Sequence, residues 1–335
     1  MLTFLRKIRK SLIDTGATRK YILYAIGEIT LVVIGILIAL QFNTRHQHNL
    51  NKQKIEKLFE EVLHDLDQDI SDMTSQIERY KKKTSWSRKV LSNELDKSDY
   101  ENQEYVHLIT YNFEPIQFKT KAFDRLLHNI ELIPDEYIYL VEQLQEAYHE
   151  EANAIGEVEK ELREFMIMVY NEYRNSFDWY SNSESGHHSE RINYHLTSPK
   201  YKNDVHRYQQ IVRHLNAHFN GFYRDATISY NQIFKKLNLE IPFSRDVKNM
   251  HSLSTEKLME YEGLYDDGSE KITIEINDEG LLRAFNRMVL FNENQDTFVS
   301  SGLDTLIFGR GSAGFVCELT EIYTDTIFNS IRIEE

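Results

Sequence analysis

RKYILYAIGEITLVVIGILIALQF, residues 19–42, is the stretch on which the reading of this chain turns. From residue 21 to 42 its one formal charge is Glu28. An α-helix of about 22 residues rises roughly 33 Å, enough to cross a hydrocarbon core of about 30 Å. Tyr21 and Tyr24 suit one membrane interface, and Gln41 with Phe42 the other. A secretory signal peptide has a shorter apolar run and a small-residue cleavage site. Here Ala39 is followed by Leu40, Gln41 and Phe42, so the expectation is an uncleaved anchor. Arg6, Lys7, Arg9, Lys10, Arg19 and Lys20 precede the span, opposed only by Asp14; Arg45, Lys52, Lys54 and Lys57 follow more sparsely. The denser cluster stays in the cytoplasm. The expected topology is single-pass with the N-terminus cytoplasmic and residues 43–335 outside, which is the periplasm if the membrane is the inner one of a double-membrane bacterium.

At 100° per residue the span has two unlike faces. Tyr24, Glu28, Val32, Gly35 and Ala39 line one; Ile22, Ile26, Val33, Leu37 and Leu40 line the other. Gly35 and Ala39 form a small-xxx-small pair that lets another helix approach closely. A carboxyl inside a bilayer costs a few kcal/mol unless shielded or protonated. Glu28, Gly35 and Ala39 are therefore the expected surface for helix association, with a second copy or with another membrane protein.

The strings FLRKIRKSL at 4–12 and KYILYAIGEITLVVIGILIALQFN at 20–43 resemble the opening of a large bacterial family of single-span membrane proteins of unknown function. A looser likeness continues in FKTKAFDRLLHNIELIP at 118–134. The resemblance implies a membrane anchor with a helical extramembrane part, and no activity.

Beyond the span, residues 43–335 hold 33 Lys and Arg against 51 Asp and Glu. That balance of −18 argues against nucleic acid or anionic lipid headgroups as the main partner. Cys317 is the only cysteine, so no internal disulfide forms; its apolar neighbours Phe315, Val316 and Leu319 suggest a buried core position.

Residues 1–18 read as a short basic amphipathic segment suited to the inner leaflet. After the span, Ile55, Phe59, Val62, Leu66, Ile70, Met73, Ile77 and Tyr80 recur at heptad-like spacing, suited either to packing within the chain or to a dimeric coiled-coil stalk. A second helix is expected over 99–113, ending before Pro115, and a short third over 119–129. Pro134, with Asp135 and Glu136, suits the first turn of a long fourth helix. Its stripe is Ile138, Val141, Leu144, Tyr148, Ala152, Ile155, Val158, Leu162, Phe165, Val169 and Tyr173. SFDWYSNSESGHHSERINYHLTSPKYK, residues 176–202, reads as a long loop. A fifth helix is expected over 203–238, ending before Pro242.

Seven of the thirteen glycines lie from Gly263 onward, among short alternating apolar runs such as Ile272, Ile274 and Ile276. Turn signals separate the runs, as in a β-meander of seven or eight strands, a small barrel or curled sheet. A short helix over 254–261 leads in. LMEYEGLY, ITIEINDEGLL, DTFV and LIFGRGSAGFVCEL, between residues 258 and 319, resemble the lipocalin-like β-domain found C-terminal to bacterial serine hydrolases of the beta-lactamase class. Such a domain is an accessory, so the resemblance implies no catalysis.

Candidate chemistry is sparse. Ser254-Thr-Glu-Lys257 fits Ser-x-x-Lys, but the later Ser-Asp-Asn and Lys-Thr-Gly elements are missing, and Lys83-Thr-Ser lies upstream, in the wrong order. Ser254 is more simply a helix N-cap. His214 and His218, four apart on the fifth helix, can face one metal ion, with His187, His188 and His195 as further donors if the loop folds back. With thirteen histidines in the chain, ordinary surface or core roles outweigh a metal site. Phe165, Tyr170, Tyr173, Phe177, Trp179 and Tyr180 crowd the end of the fourth helix, as packing or as a partner surface.

The expectation is an α+β, membrane-anchored protein. Residues 1–20 are cytoplasmic, 21–42 the transmembrane helix, 43–240 an extended antiparallel extracytoplasmic helical bundle, and 254–335 the lipocalin-like β-domain. The expected function is non-enzymatic binding of a partner protein or small ligand, without a cofactor. A hydrolase-related enzyme and a structural spacer are the alternatives.

Overall fold

A computed structural model of the chain describes residues 18–102, 104–110, 112–180, 189–239, 243–250 and 253–333. The basic cluster at 6–10, His187, His188 and Pro242 lie outside the described residues. Two compact units are present: residues 58–128 with 135–335, and the preceding residues with 129–134.

Helix α1, Thr18–Ser92, is uninterrupted. No glycine or proline occurs from residue 36 to 92, so nothing breaks its hydrogen-bond ladder. Asn93, left-handed at φ 60°, ends it, with the Glu94 N–H returning to the Lys89 carbonyl at 3.0 Å. By length and composition, its first part is the one helical segment among the described residues able to cross a membrane, with mean hydropathy 2.5 and none of that window buried. Leu31 is 74% exposed, Val32 is 55% exposed and a Cβ on Gly35 would meet nothing within 4 Å, so nothing among the described residues covers the helix at Val32 and Gly35.

Further along α1, Phe59, Val62, Leu66, Ile70, Met73, Ile77 and Tyr80 are all buried within the chain, which accounts for the stripe without a second copy. They meet aromatic residues from later helices: Phe59 stacks on Tyr137 at 5.7 Å and Tyr80 meets Phe219 edge-on at 5.5 Å.

Of the helix expected over 99–113, helical turns are described at Lys97–Asn102 (α2) and Glu104–His107 (α3), residues 103 and 111 lying outside the described residues, and an irregular segment without regular secondary structure follows over 112–120. Its half-buried backbone donors find acceptors in carboxylates. Glu159 takes the Ile116 N–H at 3.0 Å, Asp69 takes the Lys119 N–H at 3.1 and 3.2 Å, and Asp65 takes the Ala122 N–H at 3.3 Å. Helix α4, Lys121–Leu127, follows.

The long fourth helix is also modified. After Pro134 comes a 3-10 turn, Asp135–Tyr137, then α5 Ile138–Gln145, a π-helical turn Glu146–Glu151, and α6 Ala152–Ser176. The wider π turn shifts the inward face, so Leu140, Ala147 and Glu159 are buried while Ala152 and Val158 are only half-buried. The expected loop contains helix α7, Ser189–Thr197, which buries Arg191, Ile192 and His195. Helix α8 then begins at Pro199, not at 203, and runs to Leu237. Ser198 caps it, accepting the Tyr201 N–H at 3.3 Å, and proline at the first turn needs no backbone donor. Helix α8 packs on α5, the π turn and α6.

A short helix α9, Thr255–Leu258, precedes eight antiparallel strands. They are β1 Gly263–Asp266, β2 Lys271–Ile276, β3 Leu282–Ala284, β4 Met288–Asn294, β5 Thr297–Ser300, β6 Thr305–Arg310, β7 Val316–Ile322 and β8 Ile327–Ile333. They pair in chain order and close, β8 onto β1. Tyr261, Tyr265, Phe298 and Phe308 fill the interior, with ring centroids 4.9–5.8 Å apart, so side chains occupy the barrel axis. Cys317 is half-buried, not a core residue: the register shift at Gly309 and Arg310 turns Val316 and Leu319 inward and leaves the thiol 3.8 Å from the Gly309 carbonyl.

Barrel and helices belong to one unit because polar contacts bind them. Lys81 pairs with Asp304 at 2.6 Å, Ser85 and Arg88 reach Asp325 at 2.8 and 3.2 Å, and Lys248 pairs with Glu293 at 2.6 Å. Burial raises the Asp304 carboxyl and Lys81 opposes the rise. Gly302 lets the β5–β6 turn approach α8, since a Cβ there would lie 3.0 Å from the Asn220 amide nitrogen.

Candidate binding cleft at the helix–barrel junction

Arg213, Asn216, Ala217, Asn220, Gly221 and Arg224 recur every three or four residues and therefore share one face of α8. Opposite stand Glu151 from the π turn, and Arg287, Met288 and Ser301 from the barrel, enclosing a cleft of about 400 Å³. A second cleft of about 500 Å³ shares Arg224 and Arg287 and adds Glu146, Asp225, Glu279 and Arg283.

Local structure explains each placement. Arg287 follows a tight turn in which Phe285 and Asn286 are both left-handed, at φ 53° and 56°, with the Arg287 N–H on the Ala284 carbonyl at 3.2 Å. A left-handed phenylalanine costs on the order of 1 kcal/mol. Packing of its ring against the barrel core holds it there. Ser301 is buried, and its N–H reaches the Val289 carbonyl at 2.9 Å. Glu151 ends the π turn, and a Cβ on Gly221 would collide with its carboxylate. A glycine in a helix interior costs about 1 kcal/mol against alanine. Here it makes room for a charged group.

The charges are unevenly matched. Glu151 Oε2 accepts from His218 Nδ1–H at 2.8 Å, and its other oxygen lies 3.9 Å from the Arg224 guanidinium. Arg224 also grips Asp225 through two bonds of 2.7 and 2.8 Å, which hold its proton more firmly than usual. Arg283 pairs with Glu275 at 2.5 Å. Arg213 and Arg287 are exposed and make no ion pair with an acid among the described residues. In a chain of net charge −14, the first cleft thus presents two uncommitted guanidinium groups beside amide and hydroxyl donors.

The residues singled out from sequence are dispersed. His218 is held by Glu151, while His214 is exposed. Among the described residues no group of three or more His, Cys, Asp or Glu is arranged to hold a metal ion. His195 sits inside an aromatic cluster. Ser254 caps α9 by accepting the Lys257 N–H, and Lys257 pairs with Glu260 at 2.7 Å. Of the aromatics at the end of α6, Tyr173 and Trp179 are buried, with Phe177 stacked on Trp179 at 4.9 Å, while Tyr170 stays 47% exposed.

Sequence reading passed over Glu151, Arg213, Arg224 and Arg287. A signal existed in Ala217 and Gly221: small residues at helical spacing between arginines mark a close approach by another element. Comparison with family models, with curated proteins and with solved structures finds no match.

Proposed function

We propose that this is a non-enzymatic, membrane-anchored envelope protein that binds a small anionic ligand in the junction cleft. One observation carries the reading: Arg213 on α8 and Arg287 on the barrel line one cleft without acidic counterparts there beyond the engaged Glu151. Charge-assisted bonds from arginine to a carboxylate or phosphate are strong and geometrically selective. The exposed apolar part of α1 supports the anchor, and the basic residues before it support a cytoplasmic N-terminus and a periplasmic bulk. The stripe of Glu28, Gly35 and Ala39 supports association with a second copy or another membrane protein.

For binding, the full chain in detergent is titrated at constant ionic strength with citrate and with inorganic phosphate, following the unfolding temperature. The reading expects a saturable rise with at least one anion, and a loss of affinity of about tenfold or more on Arg213→Gln or Arg287→Gln. Equal responses in wild type and both variants would refute the site. For topology, Cys317→Ser is combined with Ser269→Cys or Ser11→Cys and treated with a membrane-impermeant thiol reagent on cells whose outer membrane has been opened. Labelling at 269 and protection at 11 is expected, and the reverse pattern would invert the protein.

A further inference from the structure

On α1, away from the junction, Lys83 is buried to 9% exposure, and its amine donates to the Asn112 carbonyl. It lines a cleft of about 430 Å³ with Arg79, Lys82, Trp86 and Glu114. No carboxylate forms an ion pair with the Lys83 amine among the described residues; Glu114 is taken by Arg79. The groups facing it are the Arg79 and Lys82 cations and Glu78 from α1, Glu114 from the irregular segment, and the Tyr80 ring 5.8 Å away. Trp86 forms a flat wall, with Lys89 4.7 Å from the ring.

We infer that Lys83 is a nucleophilic amine that condenses reversibly, within this cleft, with a small aldehyde or ketone bearing an acidic group. The inference does not rest on the junction cleft. The amine lone pair attacks the carbonyl carbon, and the carbonyl oxygen takes a proton to give a carbinolamine. Loss of that oxygen as water leaves the imine, and water reverses the sequence, so no oxidant or reductant is required. Lys82, and Arg79 through the donors its bond to Glu114 leaves over, supply the positive charge that holds the ligand's acidic group, and Trp86 supplies a face for its apolar part. Burial and the Arg79 charge lower the Lys83 pKa to about 8. About a tenth of that amine is neutral at pH 7, a few hundred times the fraction for an ordinary lysine near 10.4.

The test uses the full chain in detergent with glyoxylate and cyanoborohydride, which fixes an imine as a secondary amine, followed by peptide mapping. Lys83 should be labelled about tenfold or more faster than Lys81, Lys82 or Lys89, with a rate that rises through pH 8. Acetaldehyde, which lacks the acid, should react more slowly at Lys83, and Arg79→Gln should slow glyoxylate more than acetaldehyde. Because the mapping is done on wild-type protein, it does not depend on any variant folding. Labelling of Lys83 no faster than its neighbours, or a pH profile shared with Lys82, would overturn the inference.

Discussion

Replacing Asp69 by alanine should lower the stability of the folded unit by about 3–5 kcal/mol, the range for removing one member of a buried charged network. Asp69 is 1% exposed and accepts from the Lys119 N–H at 3.1 and 3.2 Å, the Tyr148 hydroxyl at 2.9 Å and the Lys119 ammonium at 3.3 Å. Alanine strands the backbone N–H and the hydroxyl, and each unsatisfied buried donor costs about 1–3 kcal/mol. The ammonium keeps Asp72 at 2.8 Å, so its loss is smaller. Burial raises the Asp69 carboxyl despite these donors. A carboxyl raised in the folded state contributes stability below its unfolded pKa and loses it as pH rises through the folded value. Asp69→Asn, neutral at every pH and still an acceptor, should therefore cost well under half as much as alanine. Denaturant titration of detergent-solubilised chain, read by Trp86 and Trp179 fluorescence, measures both. A loss below about 1 kcal/mol for alanine would mean that the irregular segment does not depend on this carboxylate.

Acidification should loosen the far end of the helices through His195. That imidazole is fully enclosed: its Nδ1 meets His107 Nδ1 at 3.4 Å, and its Nε2 has no hydrogen-bond partner among the described residues. His107 donates its Nε2–H to the Tyr100 carbonyl at 2.7 Å, so its Nδ1 is the acceptor and the His195 Nδ1 carries the shared proton. Tyr201 at 4.3 Å, with Tyr100, Tyr173, Tyr194 and Trp179, forms the wall, and Arg191 is buried one turn earlier. Burial first, then His107 and Arg191, push the His195 pKa well below 6.5. For a histidine depressed in this way, the unfolded chain binds the extra proton. Stability is complete above about pH 6.5 and falls below it, by up to about 1.4 kcal/mol per pH unit. From pH 7.5 to 5 the loss has a ceiling of about 2 kcal/mol. Asp69, Glu159, Asp204, Asp304 and Glu321 are raised by burial and titrate in the opposite sense, so the measurement is a difference. His195→Phe keeps an aromatic ring and should flatten the decline relative to wild type. An equally steep decline in that variant would clear His195 of the acid sensitivity.

Asp69 shows why part of the interior was hidden from a linear reading. It precedes Ile70 in a stripe whose apolar members were plain, yet its acceptors serve a backbone segment fifty residues on. Past the end expected for the second helix, the donors at 116 and 119 find carboxylates on other elements, so the backbone there need not coil to satisfy itself. Helix α7 was missed because polar composition around 176–202 reads as loop, while the burial of Ile192 and His195 comes from aromatic neighbours far along the chain. The Ser198-Pro199 start of α8 was local and legible, and was overlooked.

Unbroken apolar length carried the helix near the start, and periodicity carried the inward stripe of α1 and a meander of seven or eight alternating strands, because burial of one face repeats every 3.6 residues in a helix and every two in a strand. Folding in three dimensions was needed to set Arg213 across a cleft from Arg287, to aim Glu151 at His218, and to shut His195 away from water. Those juxtapositions join residues dozens of positions apart, where chain connectivity imposes no spacing and only the packing of α8 against the π turn and the barrel brings the charges together.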